Sequence, residues 1–144
     1  MKKPLCIFIF IACLHLYIAA SQAGNERRVL HYWPEKVTLT GRLVYRTFYG
    51  PPNYGENPKT DSKETQSILL LDSAIDIIAV KQDALSATER GVKRVTLVFG
   101  ESTPHPVRFY LKRRVTVEGT LIHAHTGHHH TKILIDVSSI KRAT

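Results

Sequence analysis

The sequence predicts a mainly β fold, a small OB-like barrel with one short helix. Three observations carry this reading: strict apolar/polar alternation over residues 37–43 and 115–121, a glycine in the middle of both runs, and only one stretch with helical character. In the first run Val37, Leu39, Gly41 and Leu43 share one parity, and Thr38, Thr40 and Arg42 share the other. Val115, Val117, Gly119 and Leu121 repeat the pattern, which has the period of a half-buried strand. Glycine within a strand costs conformational entropy, and the usual compensation is a bulge or bend that lets the strand curl.

The remaining elements follow in order. Residues 24–36, with Arg27, Arg28, His31, Tyr32 and Trp33 before Pro34, read as an N-terminal lead-in without a regular element. The first strand runs from Val37 to Tyr45 or Phe48. Residues 50–59 are dense in turn formers, and with their polar continuation to Glu64 they make a connection of about 15 residues. A connection of that length is either functional and mobile, or a rim closed by Phe48, Tyr49 and Tyr54 packing down on it. Two apolar runs, residues 67–71 and 75–80, flank Asp72 and Ser73, as in two strands joined by a tight turn or one strongly bent strand. Between Gln82 and Gly91, Asp83 can cap a helix of about two turns that Gly91 ends. Residues 93–99 read as a strand, 100–106 as a turn with two prolines, 107–111 as a short edge strand, and Lys112, Arg113 and Arg114 as a solvated lead-in. Strands at 115–121 and 132–140 complete a single OB-like β domain over residues 37–140.

The N-terminus has the order of an export signal. Lys2 and Lys3 precede the apolar residues 5–20, and Ser21 and Ala23 put small side chains where a signal peptidase needs them. Residues 1–23 are therefore expected to be a cleaved signal peptide, the protein periplasmic or secreted. No stable transmembrane anchor is expected, because an apolar stretch of about 15 residues is short against the roughly 20 that span a bilayer. Cys6 and Cys13 both leave with the signal, so the mature domain has neither a disulfide nor a thiol nucleophile. Removing Lys2 and Lys3 leaves 18 basic residues against 12 acidic, a net charge of +6. Such an excess favours anionic partners or simply solubility. Nucleic acid is not an expected partner, given export and the lack of a finger or glycine-aromatic motif.

One segment is rich in side chains that do chemistry. His123, His125, His128, His129 and His130 lie within nine residues, 123–131, between the last two strands. Continuation of the strand puts His123 and His125 on one face, about 6–7 Å apart, and Gly127 supplies a turn that can fold His128 and His130 back towards them. Imidazoles gathered this way are ligands for zinc or copper, so His123, His125, His128 and His130 are the candidate metal ligands. No carboxylate lies within the cluster, and a solvated hairpin tip or a hydrogen-bonded loop fits the same residues. Catalytic residues are not expected. There is no nucleophile triad, phosphate-binding glycine loop or nucleotide fingerprint.

The stretch from Val115 to Ile140, with Gly119, Thr120 and Leu121 and then the histidine run to Thr131, resembles the C-terminal signature of the DUF4431 family of small exported bacterial proteins of unknown function. Phe48, Tyr49, Gly50, Pro51, Pro52, Asn53 and Tyr54, with Asp61 and Glu64 before residues 68–71, resemble that family's N-terminal half. The resemblance implies export and a shared fold and carries no activity. It departs around residues 74–77, where a proline and a cysteine are expected in relatives and Ala74 and Asp76 stand here.

The function expected from these readings is a non-enzymatic exported binding or accessory domain. Its partner would be an envelope saccharide, peptide or protein, met by Tyr49, Asn53, Tyr54 and His125 where the two distinctive loops share a rim. The alternative expectation is a zinc- or copper-binding protein, or a metal-dependent hydrolase, using the cluster from His123 to His130.

Overall fold

The alternating segments become strands whose inward parity is buried. The structure is a computed structural model that describes residues 27–100 and 107–144. The expected signal peptide and most of the turn at 100–106 lie outside the described residues. The elements in chain order are β1 (Arg28–His31), β2 (Lys36–Tyr49), β3 (Lys63–Ile78), β4 (Glu89–Val98), a 3-10 turn at Val107–Tyr110, β5 (Arg114–His123) and β6 (Ile133–Arg142). Among the described residues no helix is long and apolar enough to cross a membrane.

The strands form one six-stranded mixed sheet in the order β1-β3-β2-β5-β6-β4, with β3 also paired to β4. This replaces the expected OB-like barrel with one short helix: a sixth strand joins the sheet, and the helix does not form. The added strand is β1, inside the expected lead-in, which lies parallel to β3 from Arg28↔Ile75 to His31↔Ile78. Its sequence alternates too briefly to announce a strand, but it buries Leu30, and the following Tyr32 is 4% exposed with its hydroxyl donating to the Ala87 carbonyl at 2.6 Å. The expected helix loses to local hydrogen bonding. Asp83 Oδ1 accepts from the Leu85 N–H, Ser86 Oγ accepts from the Val80 N–H, and Thr88 Oγ1 accepts from the Ala79 N–H. Short polar side chains offer the backbone these alternatives, and a two-turn helix with Leu85 left 63% exposed has too little packing to outweigh them. The edge strand expected at residues 107–111 is instead the 3-10 turn, after which Lys112 N–H donates to the Leu43 carbonyl at 2.7 Å and starts the β2–β5 pairing.

The core lies between the inward faces of these strands. Val37, Leu39 and Leu43 of β2 meet Val115, Val117 and Leu121 of β5, Ile133, Ile135 and Val137 of β6, Leu69 and Ile77 of β3, and Val95 of β4. The apolar runs at 67–71 and 75–80 are one bent strand, β3, whose ladder to β4 slips between Leu70 and Ile75. Asp76, where the resemblance leads one to expect a different residue, is 5% exposed. It accepts from the Gly91 N–H at 2.7 Å and from Arg27 Nε at 2.8 Å, and faces Arg90 at 3.5 Å. The Gly91 amide, with Arg27 next in weight, holds its carboxyl below the usual range. One carboxylate thus joins β3, β4 and the entry to β1 with charge-assisted bonds.

Candidate functional site

The long connection between β2 and β3 is organised by a single acid. Asp61, 8% exposed, accepts from the Asn53 N–H at 2.9 Å, Asn53 Nδ2 at 3.2 Å, the Gly55 N–H at 2.7 Å and the Asn57 N–H at 3.3 Å. Burial pushes its carboxyl up, but the donors from Gly55 and Asn53 outweigh it and leave it below the ordinary value. The chain turns inside this nest through Tyr54 at φ 51° and Gly55 at φ 107°, and the loop is closed at its base by the Gly50 N–H to the Ser62 carbonyl and the Ser62 N–H to the Pro51 carbonyl. Asp61→Ala should therefore open residues 50–62 selectively. Amide exchange at Gly55 and Asn57 is expected to rise to that of an unstructured loop while the β2 and β5 amides keep their protection; unchanged exchange at those two amides would remove Asp61 from this role.

The histidine segment packs directly against that loop. The ring of Tyr54 lies so close to Gly127 that a β-carbon there would stand 2.9 Å from Tyr54 Cζ, so a larger residue would push the ring aside. Tyr54 Oη is 3.3 Å from His128 Nε2, and the two rings meet edge to face at 5.6 Å. His128 Nδ1 lies 2.5 Å from Glu64 Oε1, and His130 Nε2 lies 2.8 Å from Glu64 Oε2. His130 is stacked on Phe48 at 4.3 Å with an interplanar angle of 9°. Gln66 Nε2 donates to the His128 carbonyl at 2.5 Å. The hydrogen bonds from His130 and His128 draw the Glu64 carboxyl below its ordinary value against the opposing effect of burial, so it is ionised at neutral pH. With Glu64 as an anion, the facing imidazole nitrogens are donors. His128, if neutral, then presents Nε2 as an acceptor for the Tyr54 hydroxyl.

A second acid collects the start of the segment. Glu89 at the beginning of β4 lies 3.4 Å from His123 Nε2 and 2.9 Å from Lys132 Nζ. Burial raises its carboxyl, but Lys132 and His123 more than offset this and leave it lowered. Burial, with Glu89 close by, pushes the Tyr32 hydroxyl beside His123 up to about 12. His125 and His129 face each other: the His125 N–H donates to His129 Nδ1 at 3.1 Å, and the rings cross at 4.8 Å. Burial, followed by the neighbouring imidazoles of His125, His128 and His130, lowers the His129 pKa and keeps that acceptor nitrogen free of a proton.

This partition overturns the expected metal centre. Among the described residues no group of three or more His, Cys, Asp or Glu side chains can hold a metal ion. His123 is committed to Glu89, His128 and His130 to Glu64, and His125 to the His123 carbonyl and His129. The imidazoles are thus shared out between separate partners and do not converge on one point, as a zinc or copper centre requires. The zinc or copper cofactor and the metal-dependent hydrolase are corrected on the same finding.

Residues 97–141 match the family described as Domain of unknown function (DUF4431). No curated protein and no solved structure matches the chain. The DUF4431 match takes in the end of β4, all of β5, the histidine segment and most of β6. It does not extend to the segment from Phe48 to Leu71, for which the resemblance was also expected. The site is therefore built across the boundary of the matched region. The matched region supplies every imidazole of the cluster, and Phe48, Tyr54, Glu64, Gln66 and Glu89 meet them from β2, β3, β4 and the first loop.

Of the residues expected to bind a ligand, Tyr54 stands at the contact between the loops and is 42% exposed. His125 is exposed beside His129, Asn53 is tied to Asp61, and Tyr49 is exposed with Lys63 Nζ 2.9 Å from its ring centroid. Sequence reasoning did not assign Glu64 and Glu89 as partners of the histidines. The signal for Glu64 lies in hairpin arithmetic: antiparallel pairing sets Phe48 opposite Glu64, so a histidine stacked on Phe48 is within reach of that acid.

Proposed function

We propose that the chain is an exported, non-enzymatic binding or accessory domain that presents the rim made by residues 50–62 and 124–132 to an envelope saccharide, peptide or protein. The observation that carries this reading is the meeting of the two loops at Tyr54, Gly127 and His128, which leaves an aromatic ring partly exposed within a fixed polar frame. A frame held by Asp61 and Glu64 before any partner arrives lowers the ordering cost of binding. Tyr54 offers a face for stacking and His125 an exposed imidazole, with Tyr49 and Asn53 beside them as further contacts. Export rests on the order of charge, apolar run and small residues over positions 1–23.

The test is an array of outer-envelope glycans, peptidoglycan fragments and their peptides, probed with the purified protein and with the Tyr54→Ala/His125→Ala double variant. Binding to one ligand class, reduced at least tenfold in the variant at an unchanged unfolding midpoint, is the expected result. Equal binding by the two proteins would remove these residues from the recognition surface.

A further inference from the structure

We infer that a second surface, the groove between β4 and the end of the histidine loop, binds an acidic polysaccharide through Lys93, Arg94, Arg90 and Lys132. The groove has a volume of about 460 Å³, and these four cations line it together with a single carboxylate, Glu89. It goes beyond the Tyr54 rim and does not depend on it.

Two of the four cations in this groove, Lys93 and Arg94, are uncommitted, unlike those of the groove beside β1. A comparable groove of about 420 Å³ beside β1 is lined by Arg27, Arg28 and Arg114, but Arg27 is bonded to Asp76, Arg114 to Asp72, and Arg28 to the Thr38 carbonyl. In the β4 groove Lys132 holds Glu89 and Arg90 reaches Asp76 at 3.5 Å, whereas Lys93 and Arg94 have no acidic partner among the described residues. Their joint exposure has a structural cause. The β3–β4 ladder passes from Leu70↔Arg94 to Ile75↔Val92, so residues 71–74 of β3 answer to Lys93 alone, and the strand alternation that would bury one of the two cations is broken.

The arrangement suits a linear polyanion: Arg90, Lys93 and Arg94 follow one another along β4 with Lys132 lining the same groove, so a chain bearing sulfate, phosphate or carboxylate groups on successive units can meet several of them in turn. No Phe, Tyr or Trp lines the groove, and its one imidazole, His130, is already stacked on Phe48, so it lacks the open stacking platform that single-stranded nucleic acid uses. Val92 is its one large apolar side chain, too little to seat in the acyl boundary of a membrane.

Dextran sulfate and uncharged dextran, which share a backbone, are the probes, titrated against the purified protein at low ionic strength. Dextran sulfate should bind and dextran should not. Lys93→Glu/Arg94→Glu should weaken dextran sulfate at least tenfold, while Lys141→Glu/Arg142→Glu, the same charge change at the far end of β6, should weaken it less than threefold. If the first reversal lowers the unfolding midpoint, Lys93→Gln/Arg94→Gln replaces it, with at least a threefold loss expected. Equal losses from the two reversals would assign binding to net charge and overturn the site. So would failure to bind dextran sulfate, which would leave the lysine and arginines as guards of a sheet edge. Binding at least tenfold tighter to a single-stranded polynucleotide, or to phosphatidylglycerol vesicles, would overturn the polysaccharide assignment.

Discussion

Gly119→Ala is expected to destabilise the domain by about 2–3 kcal/mol, with a fall in thermal midpoint of roughly 10 °C. Gly119 sits in β5 between Val37 of β2 and Val137 of β6, at the point where the β5–β6 register shifts after Glu118. A β-carbon there would overlap the carbonyl oxygen of Asp136 and stand 2.9 Å from Ile135 Cγ1. The first obstacle is backbone held in a ladder on both sides, so it cannot rotate away as a surface side chain would. Gly41 is in the same position on β2: its β-carbon would overlap the Leu70 carbonyl, and Gly41→Ala should behave alike. Gly100→Ala is the control, since nothing among the described residues lies within 4 Å of a β-carbon there. A loss below about 0.5 kcal/mol for Gly119→Ala would mean that the strands relax around the methyl group and that the close approach does not require glycine.

These two glycines also show how far the sequence could be read. Their mid-strand positions in matching alternating runs placed β2 and β5 and foretold an irregular ladder, which appears beside Gly119. The same period-two reasoning found β6 and the outer half of β4, while the polar break at Asp72 and Ser73 left two strands or one bent strand open, and β3 is a single strand. It missed β1 because four residues with one buried side chain carry no periodic signal, and the strand exists through its pairing with β3 and the burial of Leu30 and Tyr32. The helix expected after Asp83 was lost because capping residues also make turns, and only the tertiary packing of Leu85 could have decided between them.

The site was legible to a similar depth. The two loops stood out by composition, and their meeting point is where Tyr54 and Gly127 touch. Histidine spacing alone suggested ligands for a metal, since imidazoles in a row look the same whether they will face an ion or a carboxylate. The partners that decide it, Glu64 and Glu89, come from strands far away in sequence, and no local pattern ties them to the cluster.

Glu64→Gln tests what that carboxylate does for the rim. At neutral pH the variant is expected to exchange the amides of residues 125–131 roughly tenfold faster than the parent, because a neutral amide cannot accept as strongly from His128 and His130 together. The acid response should separate two groups of this cluster, His129 and Glu64. His129 has a lowered pKa, so its contribution is complete above its unfolded value of 6.5 and declines as the pH falls below it. Glu64 has a lowered pKa as well, so its contribution is complete above its unfolded value of 4.5 and is lost as the pH falls through the folded one. Urea unfolding of the two proteins from pH 7 to pH 3 should therefore give midpoints that run parallel down to about pH 4.5, both weakening through His129, and converge below it as the parent loses Glu64. Midpoints that converge well above pH 5 would place the acid-sensitive contact on another group. Midpoints that already coincide at pH 7 would mean that the parent rim is held by packing of Phe48 and Tyr54, with the Glu64 charge contributing nothing that the glutamine lacks.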